Sequence, residues 1–107
     1  MERTNAPRIA ERLRLAVNAR CKVISGAGAA VVLCDMSTDG CCAILRGLRL
    51  HPGNRVIVTP DKFESITGTV RWIAHGCAGI QFDRQVYGPV VEHFQKVNPP
   101  RGSSFWS

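Results

Sequence analysis

The spacing of the apolar segments is the feature that most constrains the fold. Six short runs of alternating or β-branched residues follow one another, and the turns between them leave almost no room for crossover helices. Parallel strands need such crossovers, whereas antiparallel strands need only short turns. The pattern therefore predicts an all-β protein, an antiparallel barrel or sandwich. The predicted strands span residues 19–25, 29–35, 41–46, 55–60, 63–74 and 77–83.

Residues 86–97 break this pattern, because their apolar positions recur at the spacing of a helix. Pro89 is compatible with a helix, since proline is tolerated in the first turn. The sequence therefore predicts one C-terminal helix that packs across the barrel. The residues of its apolar face are Val86, Val90, Val91, Phe94 and Val97.

The two ends of the chain differ in composition from the middle. Residues 1–18 hold four arginines against two glutamates, which predicts a flexible basic arm. Residues 98–107 are rich in Pro and Ser, which predicts a loose tail, although Phe105 and Trp106 leave a docking motif open. We expect one domain, with the barrel and helix over residues 19–97.

The charge balance favours an anionic partner. The formal net charge is +6, and 11 of the 14 basic residues are Arg, whose planar fork matches phosphate and the edge of guanine. The N-terminus has no apolar signal segment, and no apolar run is long enough to span a bilayer. These features favour a cytoplasmic protein without membrane insertion.

The five cysteines do not show the spacing of a metal site, because no CxxC pair is present. Cys41 and Cys42 are adjacent and would point to opposite faces of a strand. We therefore predict small buried thiols in a reducing compartment, and no metal ligands.

The turn CDMSTDGCC, residues 34–42, carries more polar residues than a turn needs. Asp35 and Ser37 would face the same way on an extended chain, and Gly40 permits positive φ and a close approach of a ligand. A carboxylate and a hydroxyl in this arrangement suit the donors of a guanine base. The alternative is that Asp35 and Ser37 only cap the turn through local hydrogen bonds.

A second candidate is RIAER, residues 8–12. Arg8 and Arg12 share a face if the segment is helical, or lie roughly 13 Å apart if it is extended. Either spacing suits two phosphates, or a phosphate and a base edge. The alternative is a solvated arm in which one arginine pairs with Glu11.

In order and spacing, these motifs resemble the PilZ domain family. An RxxxR arm precedes a DxSxxG turn at the end of the second strand, and TVRW…GCAGIQF, residues 69–82, is similar to the family's V-x-W and G-hydrophobic-x-F strands. The resemblance covers residues 8–96. The matching residues of the two motifs are Arg8, Arg12, Asp35, Ser37 and Gly40.

PilZ domains are bacterial receptors for cyclic di-GMP, built as a six-stranded antiparallel β-barrel with a C-terminal helix. The resemblance implies that Arg8 and Arg12 grip phosphates and guanine, that Asp35 and Ser37 contact guanine, and that Gly40 shapes the turn. It also implies an arm that orders over the ligand and a signal passed to a protein partner not identified by the sequence. No catalysis and no further cofactor are implied.

Three further positions bear on ligand binding. Trp72 could stack on a base or pack at the barrel mouth. Arg71 is expected to face the other way, unless a bulge resets the alternation. Pro7 stands where some family members carry an extra arginine that helps to hold stacked ligands, which favours one ligand per domain.

Other functions fit the sequence less well. His51, His75 and His93 are not paired with a nucleophile at a recognisable spacing, so we do not expect an enzyme. A nucleic-acid-binding barrel would need several aromatic residues on adjacent strands, so we do not expect a DNA partner. PilZ-like adaptors that bind no nucleotide usually lack the arginines or the DxSxxG turn, and this chain has both.

Overall fold

The structure, a computed structural model, describes residues 11–100. Residues 1–10 and 101–107 lie outside this range, and with them the predictions for Pro7, Arg8, Phe105 and Trp106. The elements are the strands β1 (Leu13–Val23), β2 (Gly28–Met36), β3 (Gly40–Ile44), β4 (Arg55–Pro60), β5 (Ile66–Ala74) and β6 (Cys77–Phe82), followed by the helix α1 (Gly88–Val97).

The six strands form a closed barrel in the order β1-β2-β3-β6-β5-β4, and β4 pairs with β1 to close it. All six pairings are antiparallel. Closure leaves no strand edge unpaired, which is how a small all-β domain avoids association through its edges. The predicted six-stranded antiparallel barrel with one C-terminal helix is confirmed.

Strand β1 begins at Leu13, six residues before the predicted start at residue 19. Leu15, Val17 and Cys21 are buried along this strand, while the polar residues between them face outward. Arg14, one of the charged residues that suggested an arm, therefore lies on the outer face of an alternating strand. The predicted arm overlaps β1 over residues 13–18.

The barrel interior is filled by aliphatic side chains from every strand, and α1 packs beside β1. The backbone N–H of Ala16 donates to the carbonyl of Asn98 at 2.9 Å, and the Gln95 amide donates to the carbonyl of Arg14 at 3.0 Å. These bonds fix the end of the helix next to the start of β1.

Helix α1 is shorter and less buried than its apolar pattern predicted. It begins at Gly88, two residues after the predicted start, with a proline in its first turn. Val91 and Phe94 are buried, and the Phe94 ring meets Phe63 edge-on at 5.1 Å between centroids. Val97 is exposed, which corrects its predicted place on the buried face. Within residues 11–100, no helix combines the length and the apolar character needed to cross a bilayer.

Candidate functional site

One cleft on the outside of the barrel is lined by three of the predicted site residues, Arg12, Gly40 and Trp72. Its volume is about 310 Å³, and it lies where the start of β1 and the β2–β3 turn approach strands β5 and β6. Its lining includes Arg12, Asp39, Gly40, Arg71, Trp72 and Gln81.

Arg12 and Asp35 form an ion pair at the edge of this cleft. The register of β1 on β2 pairs Leu13 with Met36, so the residue before β1 lies beside the end of β2. Arg12 Nη1 donates to Asp35 Oδ1 at 2.6 Å, and the two side chains are 52% and 28% exposed. An exposed ion pair of this kind contributes about 0–1 kcal/mol, so a ligand can replace either partner at small cost.

Ser37 lies beneath the turn rather than on its surface. The side chain is buried, and its Oγ accepts the backbone N–H groups of Asp39 at 3.1 Å and Gly40 at 3.2 Å. The Ser37 N–H donates to the Gly40 carbonyl at 2.8 Å. These bonds match the alternative of a local cap. A direct contact between Ser37 and a ligand stays a prediction.

Gly40 is required for a reason other than the predicted one. Among residues 11–100 the glycines with positive φ are Gly47, Gly53 and Gly76, so Gly40 does not use the positive φ that a glycine permits. A Cβ at Gly40 would overlap the backbone carbonyl of Ile80 on β6. The glycine therefore permits the close approach of β3 to β6 that forms the floor of the cleft.

The two aspartates of the turn have different partners. The Asp39 carboxylate accepts the Gln85 amide at 2.8 Å, and the Asp39 carbonyl accepts the N–H of Phe82 at 2.7 Å. Asp39 thereby ties the turn to the end of β6 and the loop that follows. Among residues 11–100, Arg12 is the one side chain that donates a hydrogen bond to the Asp35 carboxylate, which makes Asp35 the carboxylate suited to a ligand.

Trp72 is supported by the sheet and open to the cleft. It pairs in register with Gly79, and a Cβ at Gly79 would overlap the indole ring. Because Gly79 has no side chain, the Trp72 indole can lie directly against the backbone of β6. The side chain remains 44% exposed. Packing at the barrel mouth and stacking on a base, the two roles considered for Trp72, are compatible in this position.

Arg71 is a cleft residue that the alternation argument misplaced. The ladder between β5 and β6 shifts between Val70 and Trp72, so Arg71 occupies a β-bulge. Both Arg71 and Trp72 are exposed and line the cleft, which shows that the expected opposite orientation is wrong. Arg71 Nε donates to Gln81 Oε1 at 2.6 Å, which holds the guanidinium along the cleft wall.

The cysteines are less uniformly buried than predicted. Cys21, Cys41 and Cys42 are buried, whereas Cys34 and Cys77 are partly exposed. Burial raises the pKa of Cys21 to about 11, and it raises the pKa of Cys34, Cys41 and Cys42 as well. These thiols are therefore protonated at neutral pH.

A larger cavity, of about 520 Å³, lies away from these residues. This cavity lies between α1 and the loop after β4, and its lining includes Phe63, Tyr87 and Phe94. Its lining contains none of the predicted site residues. The smaller cleft is the better candidate, because charge, a carboxylate and an exposed aromatic ring converge there.

The family comparison agrees with the motifs. The sequence model of the PilZ domain matches residues 2–88. A search of curated proteins gave no match.

Two solved structures show the same fold at low sequence identity. The PilZ domain of CeSA from a cellulose-synthesizing bacterium is 14% identical, with a TM-score of 0.57 over 78% of this chain and 88% of that one. The Bacillus subtilis inhibitor of motility, MotI/DgrA, is 12% identical, with a TM-score of 0.57 over 86% of this chain. The match covers 49% of MotI, so this chain spans about half of that protein's length.

Proposed function

This chain belongs to the PilZ domain family, a family of cyclic di-GMP receptors, and we propose that it binds cyclic di-GMP at the cleft beside Arg12, Asp35 and Trp72. The observation that carries the proposal is that Arg12, which pairs with Asp35, lines the same cleft as the exposed indole of Trp72. A guanidinium can bind the phosphate of a guanine nucleotide, a carboxylate can bind the edge of its base, and an aromatic ring can stack on the face of that base.

The phosphates of the ligand bind to the arginines. Arg12 uses one of its five N–H donors on Asp35, and a guanidinium can bind a phosphate through two parallel bonds. Arg71 is held by Gln81 in the same cleft and offers a second guanidinium. Hydrogen bonds to charged groups contribute about 1.5–3 kcal/mol each.

The guanine base binds to the carboxylate and the indole. The Asp35 carboxylate accepts the N1–H and N2–H₂ donors of guanine, which an adenine base lacks in this arrangement. Trp72 stacks on a base, an interaction that contributes about 1–3 kcal/mol. Ser37 and Gly40 also contribute through the turn, because their contacts set the shape of the segment that follows Asp35.

Arg8 completes the RxxxR motif, four residues before Arg12. We assign it a second set of phosphate contacts, as in the family. Ordering a segment costs roughly 1–2 kcal/mol per residue, and the ligand contacts must offset this cost. The ordered arm changes the surface that a protein partner meets, so the domain signals by binding and not by catalysis. With proline at position 7, we expect one ligand per domain.

Calorimetric titration with cyclic di-GMP at about 0.15 M salt tests the proposal, with GTP and cyclic di-AMP as controls. We expect saturable, guanine-selective binding with a Kd on the order of micromolar or tighter. The Arg20→Ala variant, on the outer face of β1 and outside the cleft lining, is the matched control for Arg12→Ala. A folded protein that gives no heat and no competition would instead be a PilZ adaptor without nucleotide binding. Equal binding of any polyanion, with a steep loss on adding salt, would indicate a nucleic-acid-type surface.

A further inference from the structure

Three potential metal ligands lie close together next to the cleft, although the sequence has no CxxC pair. Cys34 and Asp35 lie on β2, and Cys42 lies on β3, across the turn. One ligand atom from each, the two sulfurs and a carboxylate oxygen, lie within 4.8 Å of one another. The cluster joins both strands that carry the turn.

A β-bulge creates this convergence. The register of β2 on β3 shifts between Leu33 and Asp35, so Cys34 occupies the bulge, and Asp35 lies opposite Cys42. In a regular strand Cys34 and Asp35 would point to opposite faces, and the bulge brings both toward Cys42. The Cys34 thiol donates to the Cys42 carbonyl at 3.5 Å, while Cys41 points into the core.

The donor set suits a thiophilic cation. Two thiolates and one carboxylate are ligands of Zn²⁺, whereas Mg²⁺ and Ca²⁺ prefer oxygen alone. Around a tetrahedral Zn²⁺, with bonds of roughly 2.0–2.3 Å, neighbouring donor atoms lie roughly 3.3–3.8 Å apart. The observed donor atoms lie within 4.8 Å of one another, so they must close by on the order of 1 Å or less to reach this spacing. Cys34 and Asp35 are partly exposed, which gives the ion access and leaves a fourth position for water.

We propose that Cys34, Asp35 and Cys42 bind a thiophilic divalent cation such as Zn²⁺, and that this cation competes with Arg12 for Asp35. Binding converts the two thiols to thiolates and releases two protons to solvent. The Asp35 carboxylate also pairs with Arg12 at 2.6 Å. A bound dication would therefore neutralise part of the carboxylate charge and repel the Arg12 guanidinium. The effect on cyclic di-GMP rests on the proposed function, whereas metal binding itself does not.

Cobalt substitution tests the site in the full chain, kept reduced with a phosphine. We expect one Co²⁺ per chain, a sulfur-to-cobalt charge-transfer band in the near ultraviolet, and displacement by Zn²⁺. The band should disappear in Cys34→Ala and in Cys42→Ala and persist in Cys21→Ala, a thiol outside the cluster. Absence of the band from the native chain would overturn the proposal. So would its persistence in Cys34→Ala, a substitution at a partly exposed position that the fold should tolerate.

The competition is tested without nucleotide by comparing Arg12→Ala with Arg20→Ala. Removing the Arg12 guanidinium should tighten Co²⁺ binding several-fold, and the control should leave it unchanged. Equal affinities in both variants would overturn the competition.

A titration with cyclic di-GMP, with and without one equivalent of Zn²⁺, then tests the link to the nucleotide. We expect the native chain to bind at least tenfold more weakly with Zn²⁺, and Cys34→Ala to be indifferent to it. Unchanged affinity in the loaded native chain would refute the link. A metal-free native chain that binds no cyclic di-GMP would refute the proposed function, and the cobalt and Arg12→Ala results would still decide the metal site.

Discussion

Two arginine–aspartate pairs on the barrel surface have the same shortest distance and different surroundings. Arg12 meets Asp35 through one hydrogen bond of 2.6 Å at the cleft edge. Arg55 meets Asp83 through two, at 2.6 and 2.7 Å, and Thr67 donates a third bond to that carboxylate at 2.8 Å. The Arg55 bonds, followed by that of Thr67, lower the pKa of Asp83 to about 2.

The difference between the pairs separates a structural contact from a binding contact. The Arg55–Asp83 pair links the start of β4 to the loop after β6 and to β5, and its bidentate geometry uses both carboxylate oxygens. The Arg12–Asp35 pair uses one donor and one oxygen and leaves further hydrogen-bonding capacity on both groups. Distance alone does not identify a site; the number of partners around each group does.

The largest expected effect distinguishes the pairs by ligand affinity. Arg12→Ala removes charge-assisted phosphate bonds of about 1.5–3 kcal/mol, so the Kd for cyclic di-GMP should rise at least tenfold. Because Arg12 makes a single side-chain hydrogen bond, in an exposed ion pair, the melting temperature should change little. Calorimetry and thermal unfolding measure the two quantities. A lower melting temperature with unchanged affinity would assign Arg12 the same structural role as Arg55.

A smaller effect is expected when the Asp35 charge is removed at constant shape. Asp35→Asn replaces a charged acceptor by a neutral one, a difference of about 1 kcal/mol, or roughly fivefold in Kd. Asp83→Asn is the matched control and should bind with native affinity, since Asp83 pairs with Arg55, which does not line the cleft, whereas Asp35 pairs with the cleft residue Arg12. Equal losses in both variants would mean that the position of Asp35 does not govern binding. The titrations are made on metal-free protein.

Arg55→Ala should show the reverse pattern, with a measurable loss of stability and no loss of affinity. The change removes both bonds to Asp83 and a further bond from Arg55 to Thr69 at 3.0 Å. We expect a lower midpoint of urea unfolding and an unchanged Kd for cyclic di-GMP. A tenfold loss of affinity with an unchanged unfolding midpoint would place Arg55 in the binding site.

The smallest effect is a pH dependence confined to the Arg55–Asp83 pair. The pKa of Asp83 is lowered in the folded protein from 3.8 to about 2, so ionised Asp83 stabilises the fold. This contribution is fully present above about pH 4 and is lost as the pH falls toward 2. The difference in unfolding midpoint between the native chain and Asp83→Asn should therefore shrink over this range. A constant difference down to pH 2 would contradict the lowered pKa.

Features that depend on alternation along one strand could be predicted from the sequence. The runs around Val31 and Val56 have the alternation of half-buried strands, and both residues are buried. The DxSxxG turn lies where it was predicted, and Arg12 and Trp72, both predicted site residues, line the same cleft. Local spacing contains this information because the strand period is two residues.

Features that depend on a neighbouring strand could not be predicted. Cys34 and Arg71 both occupy bulges, and at each bulge two successive residues are at least partly exposed, where alternation places only one on the outer face. A bulge depends on how two strands pack, as when the Trp72 indole needs the space above Gly79. The requirement for Gly40 likewise arises from Ile80, forty residues later in the chain. A residue pattern along one strand contains no information about contacts with a strand that is distant in the sequence.

The two bulges have a consequence for how this surface can diversify. Between β2 and β5, the strands that carry them, lies the β3–β6 pair, whose ladder runs without a register shift from Gly40–Gln81 to Ile44–Cys77. Each bulge adds one side chain to the outer surface without disturbing that central ladder or the core behind it. Selection can therefore exchange the residues at positions 34 and 71 with little loss of foldability. A substitution at either bulge can therefore change the ligand preference of such a barrel independently of the other bulge.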